Sequence, residues 1–327
     1  MSQVFGNDYN VLIGIETAFG SGKTNSTSIA WTEVVRQNLV VEFTPVVNTV
    51  DTNIKTGTAY GLAAEKAVTT TGGTVKVSGN MTFKIAAKLF GLAMNQAGSG
   101  PFTIQANANA TPKSAVIVKL LDAAPSSTLY QCDKAIGCKL TDATISGSSG
   151  GLVTVDANFT CISYQLASTQ DITGTDPGFE SAPVFINFGD TATAMSFGNS
   201  ATHINDFTIK ITNNFVGDEI MYQNSRTMIN PLVQSVDVEL QYSVTYDAAG
   251  FEHEPFTNMY QKPGLCLAEI IEIGNVTDGK INFETTGQVT ALTLPDPGKG
   301  VYVASVTERL VADNSTPAIT ITLTAGA

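Results

Sequence analysis

At 327 residues the chain has room for two domains of about 150 residues, each able to bury its own core. Only 14% of the residues are charged, and Thr, Ser, Asn and Gly take the polar positions instead, which suits a surface given over to protein contact. Seventeen Lys and Arg against 29 Asp and Glu leave a net charge of -12 and a pI near 4.5, which excludes attraction to nucleic-acid phosphates as an organising interaction.

The opening MSQVFGNDYN has neither a basic nor an apolar segment, so no secretory signal is read there. No uninterrupted apolar run reaches bilayer-spanning length, and the expectation is a soluble protein made in a cytoplasm. Asn10–Ile15 reads as a short strand, followed by a polar Gly/Ser/Thr loop over Glu16–Ser28. The Gly-Ser-Gly-Lys-Thr run inside that loop lacks the spacing of a phosphate-binding loop. GxxxxGK[ST] needs a glycine where this chain has Thr17, and no helical pattern follows, so the run is read as an irregular loop.

Asn38–Thr44 is the next strand, and Pro45–Gly73 is a long connection with little periodicity. A connection of that length inside a compact domain is either functional or disordered. From Thr74 the pattern is regular: Val75, Val77, Met81 and Phe83 alternate with polar residues over a strand Thr74–Phe83. From Lys84 the spacing turns helical, with Ile85, Ala86, Leu89, Phe90, Leu92 and Ala93 on one stripe and Lys84 and Lys88 off it. Gly98 and the Gly100-Pro101 pair end that helix.

Ser114–Leu121, Cys138–Ile145 and Leu152–Ile162 read as strands, the last two joined as a hairpin by the turn Ser146–Gly151. Ser168–Gly178 is the linker candidate. Beyond it come Val184–Phe188, Asp206–Thr212, a second long connection Asn213–Pro231, and a long alternating strand Leu232–Tyr246. A short helix-like segment Glu254–Gln261, an apolar run Leu265–Ile273 and strands at Lys280–Glu284, Val289–Leu294, Val301–Leu310 and Ile319–Leu323 complete the chain. Strand, long connection, alternating strand and helix thus occur twice in the same order, which a duplication explains with one assumption. The expected class is β-rich α+β, with two tandem β-sandwich or barrel modules at residues 1–167 and 181–327 around a linker at 168–180, each with one packed α-helix.

The chemistry-bearing residues do not assemble into a catalytic set. His203 and His253 are the two histidines. His253 stands between Glu252 and Glu254, but no third ligand cluster accompanies it, so it reads as a loop or helix-start residue. Cys132, Cys138, Cys161 and Cys266 lack a CxxC pair and are too few for a disulfide scaffold, so reduced, mostly buried thiols are expected. Cys132 and Cys138 make a weak zinc pair without a nearby His, and could bridge only if geometry permits. Cys161 lies on the apolar face of its strand. No GxSxG, HExxH or DxDxDG pattern occurs, and neither an enzyme, a metal nor a cofactor is expected. On Leu232–Tyr246 the apolar side is Val236, Val238, Leu240, Tyr242, Val244 and Tyr246, opposite Ser235, Asp237, Glu239, Gln241, Ser243 and Thr245. Those two carboxylates either solubilise the strand or line an aqueous channel.

Three stretches resemble the tail tube (major tail) proteins of long-tailed bacteriophages, in their longer, tandem type: the opening IGIETAFGSGKTNS, the strand running into a helix VKVSGNMTFKIAAKLFGLAMN, and the late strand VQSVDVELQYSVTYDA. As a pattern the resemblance covers most of the chain. It implies a β-sandwich or barrel flanked by a helix, in rings whose inner sheets join into one barrel. The rings stack into a tube that surrounds the tape-measure protein and later conducts DNA into the host. Two modules per chain imply three copies to a quasi-sixfold ring, tail tip and terminator proteins as further partners, no membrane, and a place in the virion tail after assembly in the host cytoplasm. On that reading Asp237 and Glu239 face the lumen, and an acidic lumen lets DNA slide without sticking. Val50, Ile54, Tyr60 and Leu62 in the first long connection, with Phe215, Ile220, Met221 and Tyr222 in the second, reach the adjacent ring and order on contact. A ring also pairs the sheet edges that an isolated module leaves open. A different class remains: a carbohydrate- or receptor-binding β-sandwich, such as a head decoration or adhesion protein, which needs an exposed aromatic platform that the sole tryptophan, Trp31, would have to anchor. A hydrolase on a β scaffold lacks its acid–base set.

Overall fold

The computed structural model describes residues 10–24, 26–37, 39–51, 66–94, 96, 100–104, 113–121, 129–148, 150–175, 194–197, 200–202, 204–215, 230, 233–245, 267–275, 279–293, 303–312 and 316–325. The first half holds β1 (Asn10–Ile15), β2 (Ile29–Ala30), a 3-10 turn at Trp31–Glu33, β3 (Val34–Gln37), β4 (Val40–Asp51), β5 (Lys66–Asn80), α1 (Phe83–Ala93), β6 (Phe102–Ile104), β7 (Ala115–Leu120), β8 (Leu129–Ser148), β9 (Thr154–Cys161) and β10 (Ser163–Thr173). The second half holds β11 (Ala194–Phe197), β12 (Ser200–Thr202), β13 (Ile204–Phe215), β14 (Val233–Thr245), β15 (Leu267–Asn275), β16 (Gly279–Thr293), β17 (Val303–Leu310) and β18 (Ile319–Ala325). The described part is therefore mostly strand with one short α-helix.

Eight strands form a continuous antiparallel layer in the spatial order β4, β5, β9, β8, β13, β14, β17, β16. The first part of β8 leaves that layer and pairs with β7 and β10, with β1 beyond β7 and β3 beyond β1. The first part of β16 behaves alike, pairing with β15 and β18, with β11 beyond β15 and β12 beyond β11. Among the described pairings only β2 on β10 is parallel.

A bulge accompanies each of these two bends. The β8–β9 ladder skips Thr141 between Leu140 and Asp142, and the β16–β17 ladder skips Thr290 between Val289 and Ala291. Each threonine hydroxyl donates to a carbonyl across the ladder, Thr141 to Asn158 at 2.7 Å and Thr290 to Thr307 at 3.1 Å. One extra residue kinks and twists its strand, so a single strand can serve two layers.

Helix α1 forms where the period changes. Thr82 caps it, its hydroxyl accepting from the Ile85 amide at 3.4 Å, and the helix then buries Ile85, Ala86, Leu89, Phe90, Leu92 and Ala93. The strand expected to reach Phe83 stops at Asn80, because the Met81 amide donates to the Val153 carbonyl and Thr82 takes the cap. Phe90 stands 6.3 Å from the Phe102 ring and 5.9 Å from Phe283, which is itself 6.3 Å from Phe207. The helix of the first half thereby fills core space walled by the second, in one cluster running from Val11 to Ile321. A smaller cluster, with Leu12, Ile29, Trp31, Val116, Val118, Tyr130 and Ile172, covers the other side of the β1–β7–β8 sheet.

Several sequence boundaries are corrected. Much of Pro45–Gly73 is ladder, since β4 continues to Asp51 and β5 begins at Lys66. Alternation is illegible there because Val46 and Val47, successive residues pointing to opposite faces, are both exposed. Ser168–Gly178, expected as a linker, is strand up to Thr173, paired with β8. Lys280–Glu284 and Val289–Leu294 belong to one long strand through Thr293. Cys138 and Cys161 are joined in a disulfide across the β8–β9 hairpin, rather than both being thiols, because the hairpin register brings the two strands together there; Cys132 is a buried free thiol. Val184–Phe188, Glu254–Gln261, Cys266, His203 and His253 lie outside the described residues.

Candidate functional site

Across its middle rows the eight-stranded layer is apolar on one face and mostly polar on the other, because successive residues of a strand point to opposite faces. A core row runs Val41, Val77, Ala157, Ala143, Ile211, Val238 and Leu310. The adjacent row, on the opposite face, runs Val40, Ser78, Asp156, Thr144, Lys210, Glu239, Arg309 and Gln288, one residue from each strand. A further polar row is Glu42, Lys76, Asn158, Asp142, Thr212 and Asp237.

Acids outnumber bases on this face, and two of the acids, Asp156 and Asp237, meet bases directly. Glu42, Asp142, Asp156, Asp237 and Glu239 stand against Lys76, Lys210 and Arg309 in those two rows. Lys76 Nζ lies 2.8 Å from Asp156 Oδ2, and the hydrogen bond and charge of Asp156 raise the Lys76 pKa above its ordinary value. Arg309 meets Asp237 at 3.3 Å, and Asn214 Nδ2 donates to the same carboxylate at 2.6 Å. Gln241 donates to Glu239 at 2.6 Å, and Asn158 to Asp142 at 2.8 Å. Lys76, Asp142, Asp156 and Lys210 line a depression of about 580 Å³ in this face.

Asp237 and Glu239 are therefore where alternation placed them, both exposed on the wet side of β14. Sequence reasoning did not single out Lys210 and Arg309 beside them. The usable signal was their place in alternating strands, Lys210 between Ile209 and Ile211 and Arg309 between the buried Glu308 and Leu310. Val50 lies in β4, opposite Ala67, and Phe215 ends β13, opposite Val233. Ile54, Tyr60, Leu62, Ile220, Met221 and Tyr222 lie outside the described residues. Trp31 is buried, edge-on to Tyr130 at 5.6 Å, so it cannot serve as an exposed sugar platform.

The loop after β1 is organised by a buried carboxylate. Glu16 accepts from the amides of Gly20 at 3.0 Å, Gly22 at 2.7 Å and Gly137 at 3.2 Å, and from the Ser114 hydroxyl at 2.6 Å. The glycines of the Gly-Ser-Gly-Lys-Thr run thus face a carboxylate of their own chain, an arrangement opposite to phosphate binding. Gly20 and Gly22 adopt positive φ, 72° and 65°, which a side chain would strain. Among the described residues no group of three or more His, Cys, Asp and Glu gathers as a metal site, and no helix is long and apolar enough to cross a membrane.

Residues 6–261 match the model of the family described as Phage tail tube protein. No curated protein matches the chain.

Proposed function

The chain belongs to the phage tail tube protein family, and from that premise we propose that it forms stacked rings, three copies to a quasi-sixfold ring, around a water-filled bore. It is a structural, non-enzymatic part of the virion tail, and tail tube proteins self-assemble. One observation carries the ring reading: the eight-stranded layer is wet on one face and apolar on the other, and among the described residues its margins are β4 and β16. Sheet margins must be paired, covered or charged, and closed symmetry pairs all of them with one kind of joint.

The recurrence of neighbours supports two tandem modules, the first running through β10 to Thr173 rather than ending at residue 167, and the second over residues 181–327. β4, β5, β9 and β8 follow one another in space as β13, β14, β17 and β16 do, and β8 and β16 both bend out of the layer at a threonine bulge. In this reading the polar face lines the bore, with Asp237 and Glu239 in it. The long connections, with Ile54, Tyr60 and Leu62 and with Ile220, Met221 and Tyr222, reach the adjacent ring together with the strand ends that carry Val50 and Phe215. The tape-measure protein fills the bore before DNA passes, and tail tip and terminator proteins close the ends. Negative-stain images and native mass measurement of the purified protein test the proposal. Rings or tubes of even bore built from three copies per ring are expected; a protein that stays monomeric under assembly conditions overturns it.

A further inference from the structure

Within the chain the two four-strand halves of the layer meet at a joint, β8 to β13, with Asp142 opposite Thr212, Ala143 opposite Ile211 and Thr144 opposite Lys210. Bulges relate this joint to the margins of the layer. Thr141 in β8 and Thr290 in β16 are skipped in equivalent ladders and make equivalent hydroxyl bonds. The β13–β14 ladder slips after Asn214, and the β4–β5 ladder slips after Asn48. Aligning the bulges makes Ala291, Leu292 and Thr293 the counterparts of Asp142, Ala143 and Thr144. It likewise makes Val46, Pro45 and Thr44 the counterparts of Thr212, Ile211 and Lys210. The intervening ladders agree. Followed through β9 and β17, the threonine bulges equate Gly73 with Val238; followed through β5 and β14, the asparagine bulges equate Thr70 with Ser235. Both correspondences have the same displacement along the chain.

We infer that the margin Val289–Thr293 of one copy pairs antiparallel with β4 of the next, in the register that sets Ala291 opposite Val46, Leu292 opposite Pro45 and Thr293 opposite Thr44. The inference rests on the ring reading above and gives its joint an address. Among the described residues, Val289–Thr293 has a ladder on its β17 side alone and β4 on its β5 side alone. Val40, Val46 and Val47 are 52%, 40% and 58% exposed, an apolar strand margin that a second copy would cover. The register opposes Val46 to Ala291 where the internal joint has Thr212 against Asp142. An apolar cross-strand pair suits a contact between separate molecules, which has no covalent connection to hold it. Pro45 has no amide hydrogen to give across this joint, so the ladder there rests on the amides of its neighbours.

Paired cysteines read the register. Directly opposed residues in antiparallel strands have Cα atoms about 4.5–5.5 Å apart, within disulfide range. Tubes of the double variants Val46→Cys with Ala291→Cys, and Thr44→Cys with Thr293→Cys, should cross-link on mild oxidation into a ladder that stops at the ring size. The pair Val46→Cys with Leu292→Cys places its thiols on opposite faces and should not. Well-formed tubes in which neither matched pair cross-links overturn the register while leaving the tube reading intact. A wild-type protein that forms no rings overturns both. Hydrogen exchange on unsubstituted protein covers the case of a variant that does not fold. The outward-facing amides of β4 and Val289–Thr293, those not bonded to β5 or β17, should slow at least tenfold on assembly, and unchanged exchange at both margins overturns the joint.

Discussion

Glu16 shows how much one side chain can organise here. Its carboxylate takes three backbone amides and one hydroxyl from three separate segments, and the side chain is buried. Glu16→Ala leaves those donors buried and unpaired, and should lower the unfolding free energy by on the order of 3 kcal/mol, read as a drop in urea midpoint at constant slope. Lys139, nearby, is buried with its ammonium 5.1 Å from the Phe19 ring, and burial pushes its pKa down to about 7 from 10.5, against the opposing pull of Glu16. Between those values the unfolded chain holds the proton and the folded chain has released it. Stability should therefore rise with pH from about 7 toward 10.5, by up to about 1.4 kcal/mol per unit, and level off below 7. Lys139→Met should flatten that rise in denaturation series taken across the window; an unchanged pH profile would place the proton elsewhere. Neither role is legible in the sequence, because the surroundings of both side chains come from segments distant in the chain.

At the scale of single elements, the legible ones were those with one wet and one dry side. Helix α1, β9 and β14 have unbroken alternation or a clean stripe, and their places follow from it. The stretch of β4 at Val46 and Val47 was hidden because both are exposed, and β10 because most of its residues are exposed or half-exposed. The part of β8 before Cys138 was hidden for another reason: from Lys134 onward to Leu140 every residue is buried, including two lysines, so no alternation shows. Helix α1 earns its prominence in the sequence by packing. Phe90 is wedged between Phe102 and Phe283, so Phe90→Ala should cost about 3–5 kcal/mol and loosen both halves together. A single cooperative denaturation transition moving as a unit is the expected result, and loss confined to first-half probes would contradict the shared core.

For the whole molecule, charge on the polar face is balanced locally before it is summed. Asp237 neutralises Arg309, and Glu239 stands opposite both Lys210 and Arg309 in the register. Asp237→Asn with Glu239→Gln would remove two acids and leave those bases without their opposed carboxylates. In the proposed bore that brings the two rows from five acids against three bases to three against three, which ends their net repulsion of phosphate and frees Lys210 and Arg309 to hold it. Virions carrying the pair should assemble normally and release DNA more slowly, with the difference largest at low ionic strength, where screening is weak. Release kinetics equal to wild type at every salt concentration would remove these two residues from the bore.

Local patterning alone carries the β-rich class, the helix at Ile85–Ala93, the division of β14 into an apolar and an acidic side, and the family resemblance, because each depends on local period or local composition. Tertiary structure decided what no local period encodes: that the two halves share one layer through β8 and β13, that strands bend between layers at Thr141 and Thr290, and that Cys138 meets Cys161. Register and bulges depend on which strands meet across long separations. Hydrophobic alternation fixes only which face of a strand is buried, and leaves the choice of neighbour to the packing of the whole chain.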